Sequence, residues 1–246
     1  MKRIALFLTI ALAACQAAPQ ELSVGVPVEA QSPIQSPLLR NAKSVEGRAL
    51  SAQLYGESGE VVLFLASIHG DESAGTKLLV ELAKRLDQDP ELRGDYRVLM
   101  VPVVNPDGLA KGTRRNAHNV DLNRNFPARN FQASLYRGHT PLSEPESKFI
   151  NDLVRTYKPV RILSFHQAAN RIDYDGPGAA LAHRLASLSP LPVHRMGKRP
   201  GSLGAWAGGD RQIPTLTVEL PRSADALEPE EAWETYGMLL TQSLVR

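Results

Sequence analysis

Residues 61–72 read VVLFLASIHGDE, an apolar run that leads directly into a histidine, a glycine and two acids. The run predicts a buried strand, and leucines at helical spacing in Ser73–Leu86 predict a helix directly after it. His69 and Glu72 therefore lie at the carboxyl end of a strand, where open α/β sheets bind their ligands. Because Gly70 permits a sharp turn between them, both side chains can reach one metal ion.

A catalytic zinc site needs a third protein ligand and keeps its fourth position for water. Among the six histidines, His166 alone matches the position of His69, because it directly follows another apolar strand, Arg161–Phe165. A histidine at a strand end is often a satisfied core residue, but the shared sheet edge favours His166 as a ligand. Loop, turn and helix-face positions indicate surface roles for the other histidines: His118, His139, His183 and His194.

The chain as a whole alternates β and α patterns. This alternation predicts one α/β domain with a mixed, mostly parallel sheet and helices on both of its faces. The predicted strands are 61–68, 96–104, 161–165, 192–195 and 214–220, and the predicted helices are 73–86, 144–157, 178–188 and 230–244. Ser143 is the expected N-cap of the second helix, with Glu146 three residues later. Residues 105–141 form a long irregular segment, and such segments are usually functional or disordered.

A glutamate in the last predicted strand is the candidate general base. Glu219 lies within the apolar strand and is followed by Pro221. Zinc lowers the pKa of a bound water to about 7, so a neighbouring carboxylate can accept its proton. The alternative is that Glu219 lies on a solvated face of the sheet.

The long irregular segment concentrates groups that bind anions. Arg114, Arg124 and Asn123 lie within it, and guanidinium groups bind carboxylates in a bidentate manner and stabilise oxyanions. The alternative is a solvated basic loop. That alternative explains poorly why Leu122 and Phe126 are interleaved with the polar residues, as if the loop were held on the core.

The N-terminal sequence is typical of an export signal. Lys2 and Arg3 precede an apolar run that ends at Cys15, and the sequence around this cysteine resembles the lipobox of bacterial lipoproteins. We therefore expect a lipoprotein signal peptide at 1–15, a tether rich in Pro, Gln and Ser at 16–44 and a catalytic domain at 45–246. The alternative is an ordinary signal peptide with an incidental cysteine.

Lipidation of Cys15 would anchor the protein to a membrane, because several acyl chains on one residue bind firmly. Gln16 after the cysteine predicts the periplasmic face of the outer membrane in a Gram-negative cell envelope. Removing Lys2 and Arg3 lowers the count of Lys and Arg from 28 to 26, which equals the 26 Asp and Glu, so no nucleic-acid partner is expected. Cys15 is also the only cysteine, which excludes thiolate metal ligands and a cysteine nucleophile.

These residues together resemble the zinc metallocarboxypeptidases of family M14, the carboxypeptidase A type. The resemblance covers residues 61–221 and implies one zinc ion per chain on His69, Glu72 and His166. It also implies a general base, an arginine that polarises the scissile carbonyl, and a pair that holds the substrate's terminal carboxylate: Glu219, Arg114, and Asn123 with Arg124.

Within that family, four sequence segments resemble those of the murein peptide amidase branch: residues 105–108, 121–127, 141–146 and 201–206. Members of that branch cleave the bond between γ-D-glutamate and meso-diaminopimelate in peptidoglycan peptides. The resemblance thus implies zinc-dependent hydrolysis of an amide bond next to a free carboxylate. No tyrosine matches the mobile phenol of digestive carboxypeptidases, and Trp206 either shapes the pocket or packs in the core.

Other functions are compatible with parts of this pattern. The aspartoacylase and succinylglutamate desuccinylase group shares the His-x-x-Glu site and an Asp-Leu-Asn-Arg segment, but residues 218–221 and the doubled arginine at 114–115 fit carboxypeptidases better. A non-catalytic peptidoglycan-binding lipoprotein would have no need for a general base. A carboxypeptidase for protein C-termini would need a deep apolar pocket, for which this short chain has few residues.

Overall fold

The structure is a computed structural model that describes residues 42–246. The predicted signal peptide, Cys15 and nearly all of the predicted tether lie outside these residues. The strands are β1 (Ala42–Lys43), β2 (Ala49–Leu50), β3 (Gln53–Tyr55), β4 (Val61–Leu65), β5 (Arg97–Val101), β6 (Arg161–Asp175) and β7 (Thr215–Pro221). The helices are α1 (Ala74–Gln88), α2 (Pro106–Lys111), α3 (Pro145–Tyr157), α4 (Ala179–Ala186) and α5 (Pro229–Thr241). None of the described helices has the length and apolar character needed to cross a bilayer.

The central sheet has five strands in the order β3-β5-β4-β6-β7. β4 runs parallel to both β5 and β6, whereas β3 pairs antiparallel with β5. The predicted mixed, mostly parallel α/β fold is therefore confirmed. Because β4 and β6 are parallel neighbours with Leu65 opposite Ser164, the residues that follow their apolar parts meet at one edge of the sheet.

β6 is far longer than predicted and turns back on itself. The first half of β6 runs parallel to β7, with His166 opposite Glu219. The second half of β6 runs in the opposite direction along β7, with Arg171 opposite Glu219 and Asp175 opposite Thr215. The sequence did not reveal this strand because Arg171, Asp173 and Asp175 line a cavity, and only the intervening Ile172 and Tyr174 pack on the core.

Apolar side chains fill both faces of the sheet. All five residues of β4 are at most 1% exposed, as expected for a strand covered on both sides. One core cluster joins the sheet to α1, α4 and α5, and a second joins it to α3 and to the irregular segment. Burial of each large apolar side chain contributes about 1.5–3 kcal/mol, so these two layers hold the sheet edge rigidly.

Three local features differ from the sequence predictions. α2 forms inside the segment predicted to be irregular: Pro106 opens it, the Asn105 side chain accepts a hydrogen bond from the Gly108 amide, and Gly112 ends it at φ +62°. Predicted strand 192–195 is reduced to one bridge at Val193. The predicted tether also ends earlier than residue 44, because Ala42 and Lys43 form a β-ribbon with β2.

The start of α3 also differs. The N-cap is Glu144, and Ser143 caps no backbone amide but donates its hydroxyl hydrogen to the Glu144 carboxylate at 2.8 Å. Glu146 is fully buried and accepts hydrogen bonds from Asn116 and from the Val45 amide instead of closing a capping box. Tertiary contacts thus override the local capping signal.

Candidate active site

The turn after β4 is tightly packed. Ser67 adopts φ +46°, and its hydroxyl donates to the Glu72 carbonyl at 3.0 Å. A Cβ on Gly70 would lie 2.0 Å from the Gly108 carbonyl carbon, so only glycine fits against α2 at this point. The turn therefore holds His69 and Glu72 in a fixed geometry.

The side chains of His69, Glu72 and His166 converge, and all three residues are buried. The two Nδ1 atoms lie 3.2 Å apart, and each contacts a different oxygen of Glu72, at 2.9 Å from His69 and 2.8 Å from His166. Donor separations near 3 Å fit a cation that binds nitrogen and oxygen ligands at about 2.0–2.2 Å, which is the donor set of zinc hydrolases. Among residues 42–246, no other group of potential ligands converges in this way.

The charge state of Glu72 suits a ligand. Burial alone would raise its pKa, but the hydrogen bonds with His166 and His69 hold that pKa well below its usual range. The carboxylate is therefore ionised.

The other four histidines are all exposed, as the sequence predicted.

A further carboxylate orients the first histidine. The Nε2 atom of His69 lies 3.1 Å from Oδ1 of Asp121, so its Nδ1 atom is left to face the metal position. Burial would raise the pKa of Asp121, but the contact with His69 lowers it below its usual range. Sequence reasoning assigned no role to Asp121, although it stands two residues before Asn123. The Nε2 atom of His166 similarly lies 3.1 Å from the Ser164 hydroxyl.

The Asp121→Asn variant is expected to bind zinc about 10–100-fold more weakly, because the amide cannot hold His69 in the same way as a carboxylate. The measurement is the zinc Kd by competition with a chromophoric chelator. Asp95→Asn is the matched control, since the Asp95 side chain is 74% exposed. An unchanged Kd in Asp121→Asn would show that Asp121 does not support the site.

Glu219 shares a cavity of about 430 Å³ with the three convergent residues. Its position opposite His166 in the β6–β7 register places it beside the metal position. Within residues 42–246 its carboxylate has no hydrogen-bond or ion-pair partner, so no described side chain occupies its oxygens. The alternative of a solvated outer face is not what the structure shows.

Arg114 lies at the rim of the same site. Its guanidinium donates to Glu72 at 2.9 Å and lies 3.4 Å from Asp121, and its side chain is 43% exposed. A guanidinium in this position can reach the oxygen of a carbonyl that is bound beside the metal. The geometry thus fits the carbonyl-polarising role that the resemblance implied.

Arg124 and Asn123 lie on a short 3-10 turn at the cavity wall. The Asn123 side chain accepts a hydrogen bond from the Leu203 amide at 2.9 Å, which fixes its orientation. Burial lowers the pKa of Arg124, and nearby arginines lower it further, while Asp121 opposes this effect. Arg124 forms no ion pair with any described residue, as expected for a group that awaits a carboxylate.

The same turn is held on the core by apolar residues. Leu122 and Phe126 are fully buried, and Phe126 stacks on Trp206 at 5.5 Å between ring centroids. Trp206 is 3% exposed and does not line the cavity, so it packs in the core. No tyrosine is among the cavity-lining residues of the described range.

Comparison with known proteins identifies the family. The sequence model of the zinc carboxypeptidase family, Peptidase_M14, matches residues 27–180. This chain belongs to the zinc carboxypeptidase family. Membership confirms the predicted hydrolase class and the zinc cofactor, with a site in this chain that fits the ion. The roles of the individual site residues stay predictions.

Two curated members of the family are similar over most of their length. Murein peptide amidase A from Escherichia coli (strain K12) is 36% identical over 197 residues, which cover 73% of this chain and 77% of that protein. Murein peptide amidase A from Vibrio campbellii is 34% identical over 202 residues, which cover 75% and 79% of the two chains.

Solved structures of the family agree with the fold. Murein-tripeptide amidase from Escherichia coli O157 superposes with a TM-score of 0.71 at 31% identity, over 83% of this chain and 90% of that chain. Carboxypeptidase A from Helicoverpa armigera superposes with a TM-score of 0.69 at 21% identity, over 83% and 67% of the two chains. The second likeness concerns the fold alone.

Proposed function

We propose that this zinc carboxypeptidase hydrolyses an amide bond next to a free carboxylate in murein peptides, namely the bond between γ-D-glutamate and meso-diaminopimelate. The observation that carries this proposal is one cavity that holds a zinc-binding triad, an unpaired carboxylate and three arginines (Arg124, Arg171 and Arg199) that form no ion pair with a described residue. The names of the similar amidases support the substrate class.

The proposed chemistry assigns one task to each side chain. When bound by His69, Glu72 and His166, zinc supplies a Lewis acid that polarises a carbonyl and acidifies water. Glu219 accepts a proton from the attacking water as the new C–O bond forms, and passes that proton to the amine nitrogen as the C–N bond breaks. Arg114 offsets the negative charge that develops on the carbonyl oxygen.

The cavity also has the charge that a murein peptide requires. Arg124, Arg171 and Arg199 line it, and none of them forms an ion pair with a described residue. Arg124 and Asn123 are proposed to hold the terminal carboxylate of the leaving residue, because a planar guanidinium binds a carboxylate through two parallel hydrogen bonds. A peptide with several carboxylates matches this surplus of guanidinium groups.

The test is a product assay by mass spectrometry with the zinc-loaded, full-length chain. The substrates are L-Ala-γ-D-Glu-meso-diaminopimelate, the same tripeptide with its terminal carboxylate amidated, N-blocked C-terminal dipeptides, and N-succinylglutamate. The expected result is release of diaminopimelate from the free tripeptide alone. Cleavage of only the dipeptides would move the substrate to protein C-termini, and cleavage of only N-succinylglutamate would favour a desuccinylase.

We also propose that the protein is a cell-envelope lipoprotein anchored through Cys15, facing the periplasm from the outer membrane. The support is the N-terminal sequence alone: two basic residues, an apolar run and the single cysteine. The Cys15→Ala variant is expected to lose both labelling by a palmitate analogue and recovery in the membrane fraction. Equal labelling of the variant would contradict lipidation at Cys15.

A further inference from the structure

A loop beside the catalytic cavity presents two exposed apolar side chains. In residues 129–138, which we call the Tyr136 loop, Leu135 is 74% exposed and Tyr136 is 50% exposed. These two are the only adjacent pair among the exposed large apolar residues of the described range. One exposed leucine is ordinary on a protein surface, but an adjacent leucine and aromatic ring beside a cavity indicate a binding surface.

Backbone contacts hold the Tyr136 loop in place. It closes through a bridge between Ser134 and Gly138, in which the Ser134 amide donates to the Gly138 carbonyl at 3.2 Å. The Arg137 amide donates back to the Ser134 carbonyl at 3.1 Å. The Arg137 carbonyl in turn accepts a hydrogen bond of 2.7 Å from the Asn125 side chain, outside the loop. An ordered loop therefore presents the exposed pair.

The Tyr136 loop is joined to the residues of the candidate active site. The Asp121 amide donates to the Tyr136 carbonyl at 2.8 Å, while the Asp121 side chain contacts His69. Burial is the main cause that lowers the pKa of Arg124, and the nearby charge of Arg137 adds to this effect. The exposed pair thus lies one hydrogen-bonded residue away from the side chain that orients a candidate zinc ligand.

A guanidinium group covers part of the Tyr136 ring. The Arg115 guanidinium lies 3.9 Å from the ring centroid and donates to the Asn119 side chain at 3.1 Å, which fixes its orientation. Arg115 forms no ion pair with any described residue. It directly follows Arg114, which lies at the rim of the site. Arg115 therefore adds positive charge and hydrogen-bond donors beside the exposed ring.

The charge around the pair indicates what kind of partner it binds. Residues 129–142 contain Arg129, Arg137 and His139 but no aspartate or glutamate. A fitting partner has a flat apolar face for the ring and the leucine, polar groups for a guanidinium, and negative charge. A pyranose ring that carries an N-acetyl group and a peptide with carboxylates has all three. Two side chains offer little apolar area for binding to a bilayer, which disfavours a lipid surface.

We propose that Leu135, Tyr136 and Arg115 bind the amino sugar to which a murein peptide is attached, so that the enzyme favours glycan-linked peptides over free ones. This inference rests on the proposed function and deepens it. Arg124 holds the carboxylate on the leaving side of the scissile bond, and Arg114 contacts the carbonyl at the rim. The acyl half of the substrate, γ-D-Glu and L-Ala, then leaves the cavity past Arg114 and brings the sugar to the Tyr136 loop.

The experiment compares two substrates with the same scissile bond. The first is N-acetylglucosaminyl-N-acetylmuramyl-L-Ala-γ-D-Glu-meso-diaminopimelate, and the second is the D-lactyl tripeptide, which lacks only the two sugars. For the zinc-loaded full-length chain, kcat/KM is expected to favour the first by about 10-fold, because contacts with a remote part of the substrate stabilise the transition state relative to the free reactants. In the double variant Leu135→Ala, Tyr136→Ala this ratio is expected to fall toward one.

Three further variants make the result decisive. Tyr136→Phe keeps the ring and is expected to keep most of the ratio. Arg115→Gln removes the charge beside the ring; the ratio is expected to fall in this variant too, and it provides the test if the double variant does not fold. Leu188→Ala is the matched control, because Leu188 is a 43% exposed leucine outside the loop, and it is expected to keep the wild-type ratio.

Each other outcome has a definite meaning. Equal kcat/KM for both substrates in the wild type would overturn the inference and leave the proposed function intact. Equal loss of kcat/KM for both substrates in the variants, with an unchanged ratio, would show a purely structural role and would also overturn it. Cleavage of neither substrate by the wild type would contradict the proposed function itself.

A lipid surface is tested separately by cosedimentation with vesicles of phosphatidylethanolamine and phosphatidylglycerol. The wild type and the double variant are expected to sediment equally, since both carry the same N-terminal residues. Weaker sedimentation of the double variant, together with an unchanged kcat/KM ratio, would overturn the inference and assign the exposed pair to a membrane.

Discussion

The Glu219→Gln variant is expected to lose turnover by at least about 10²–10⁴-fold, the range in which general acid–base catalysis contributes, while it still binds one zinc ion. Glutamine has nearly the same shape, but its amide cannot accept the proton of the attacking water. Glu219 is not among the convergent ligands, so the metal site should be unaffected. The measurements are kcat for release of diaminopimelate and zinc content by mass spectrometry.

The matched control is Glu57→Gln, because Glu57 is an exposed glutamate that does not line the cavity. This variant should keep the wild-type kcat. Normal turnover in Glu219→Gln would refute the assignment of the base. Loss of zinc together with activity would instead assign Glu219 to the metal site.

The His166→Ala variant is expected to lose zinc almost completely after dialysis. It removes one of three ligands and also the hydrogen bond of 2.8 Å that fixes one oxygen of Glu72. Zinc at 1,000 times its Kd stabilises the native state by about 4 kcal/mol, so Tm of the wild type should rise on zinc addition. In the variant this zinc-dependent rise in Tm should disappear.

His183→Ala is the control for that variant, because His183 is an exposed histidine on α4. It should keep both the zinc content and the zinc-dependent shift in Tm. Full zinc occupancy in His166→Ala would contradict the assignment of the third ligand.

The convergence of the metal site was predictable from sequence because each histidine follows an apolar stretch of the chain that forms a strand of the sheet. His69 and His166 needed only the rule that parallel strands bring their carboxyl ends to one edge. The family could be predicted because these ligands occur in one order along the chain with Arg114, Asn123, Arg124 and Glu219.

The neighbourhood of Glu219 could not be predicted in the same way. Its position beside His166 depends on the register between β6 and β7, which are separated by a long stretch of chain. Asp173 and Asp175 were not predicted to line the cavity, because the second half of β6 is polar and was not recognised as a strand, although its polar and apolar residues alternate with the period of a strand.

Local signals failed where tertiary contacts were stronger. Ser143 and Glu146 have the spacing of a capping box, yet Glu146 is drawn into a buried contact with Asn116. Conversely, α2 carried the signals of a short helix, an asparagine before a proline and a glycine after the last turn, but lay within a segment dominated by polar residues.

Zinc titration of the metal-free, full-length chain tests most directly whether one zinc ion on His69, Glu72 and His166 supports hydrolysis. Release of diaminopimelate from the tripeptide is measured as zinc is added in fractions of an equivalent. Activity is expected to rise linearly from zero and to reach a plateau at one equivalent per chain. Full activity in the chelated protein before any zinc is added, or a plateau well above one equivalent, would contradict a single catalytic zinc site.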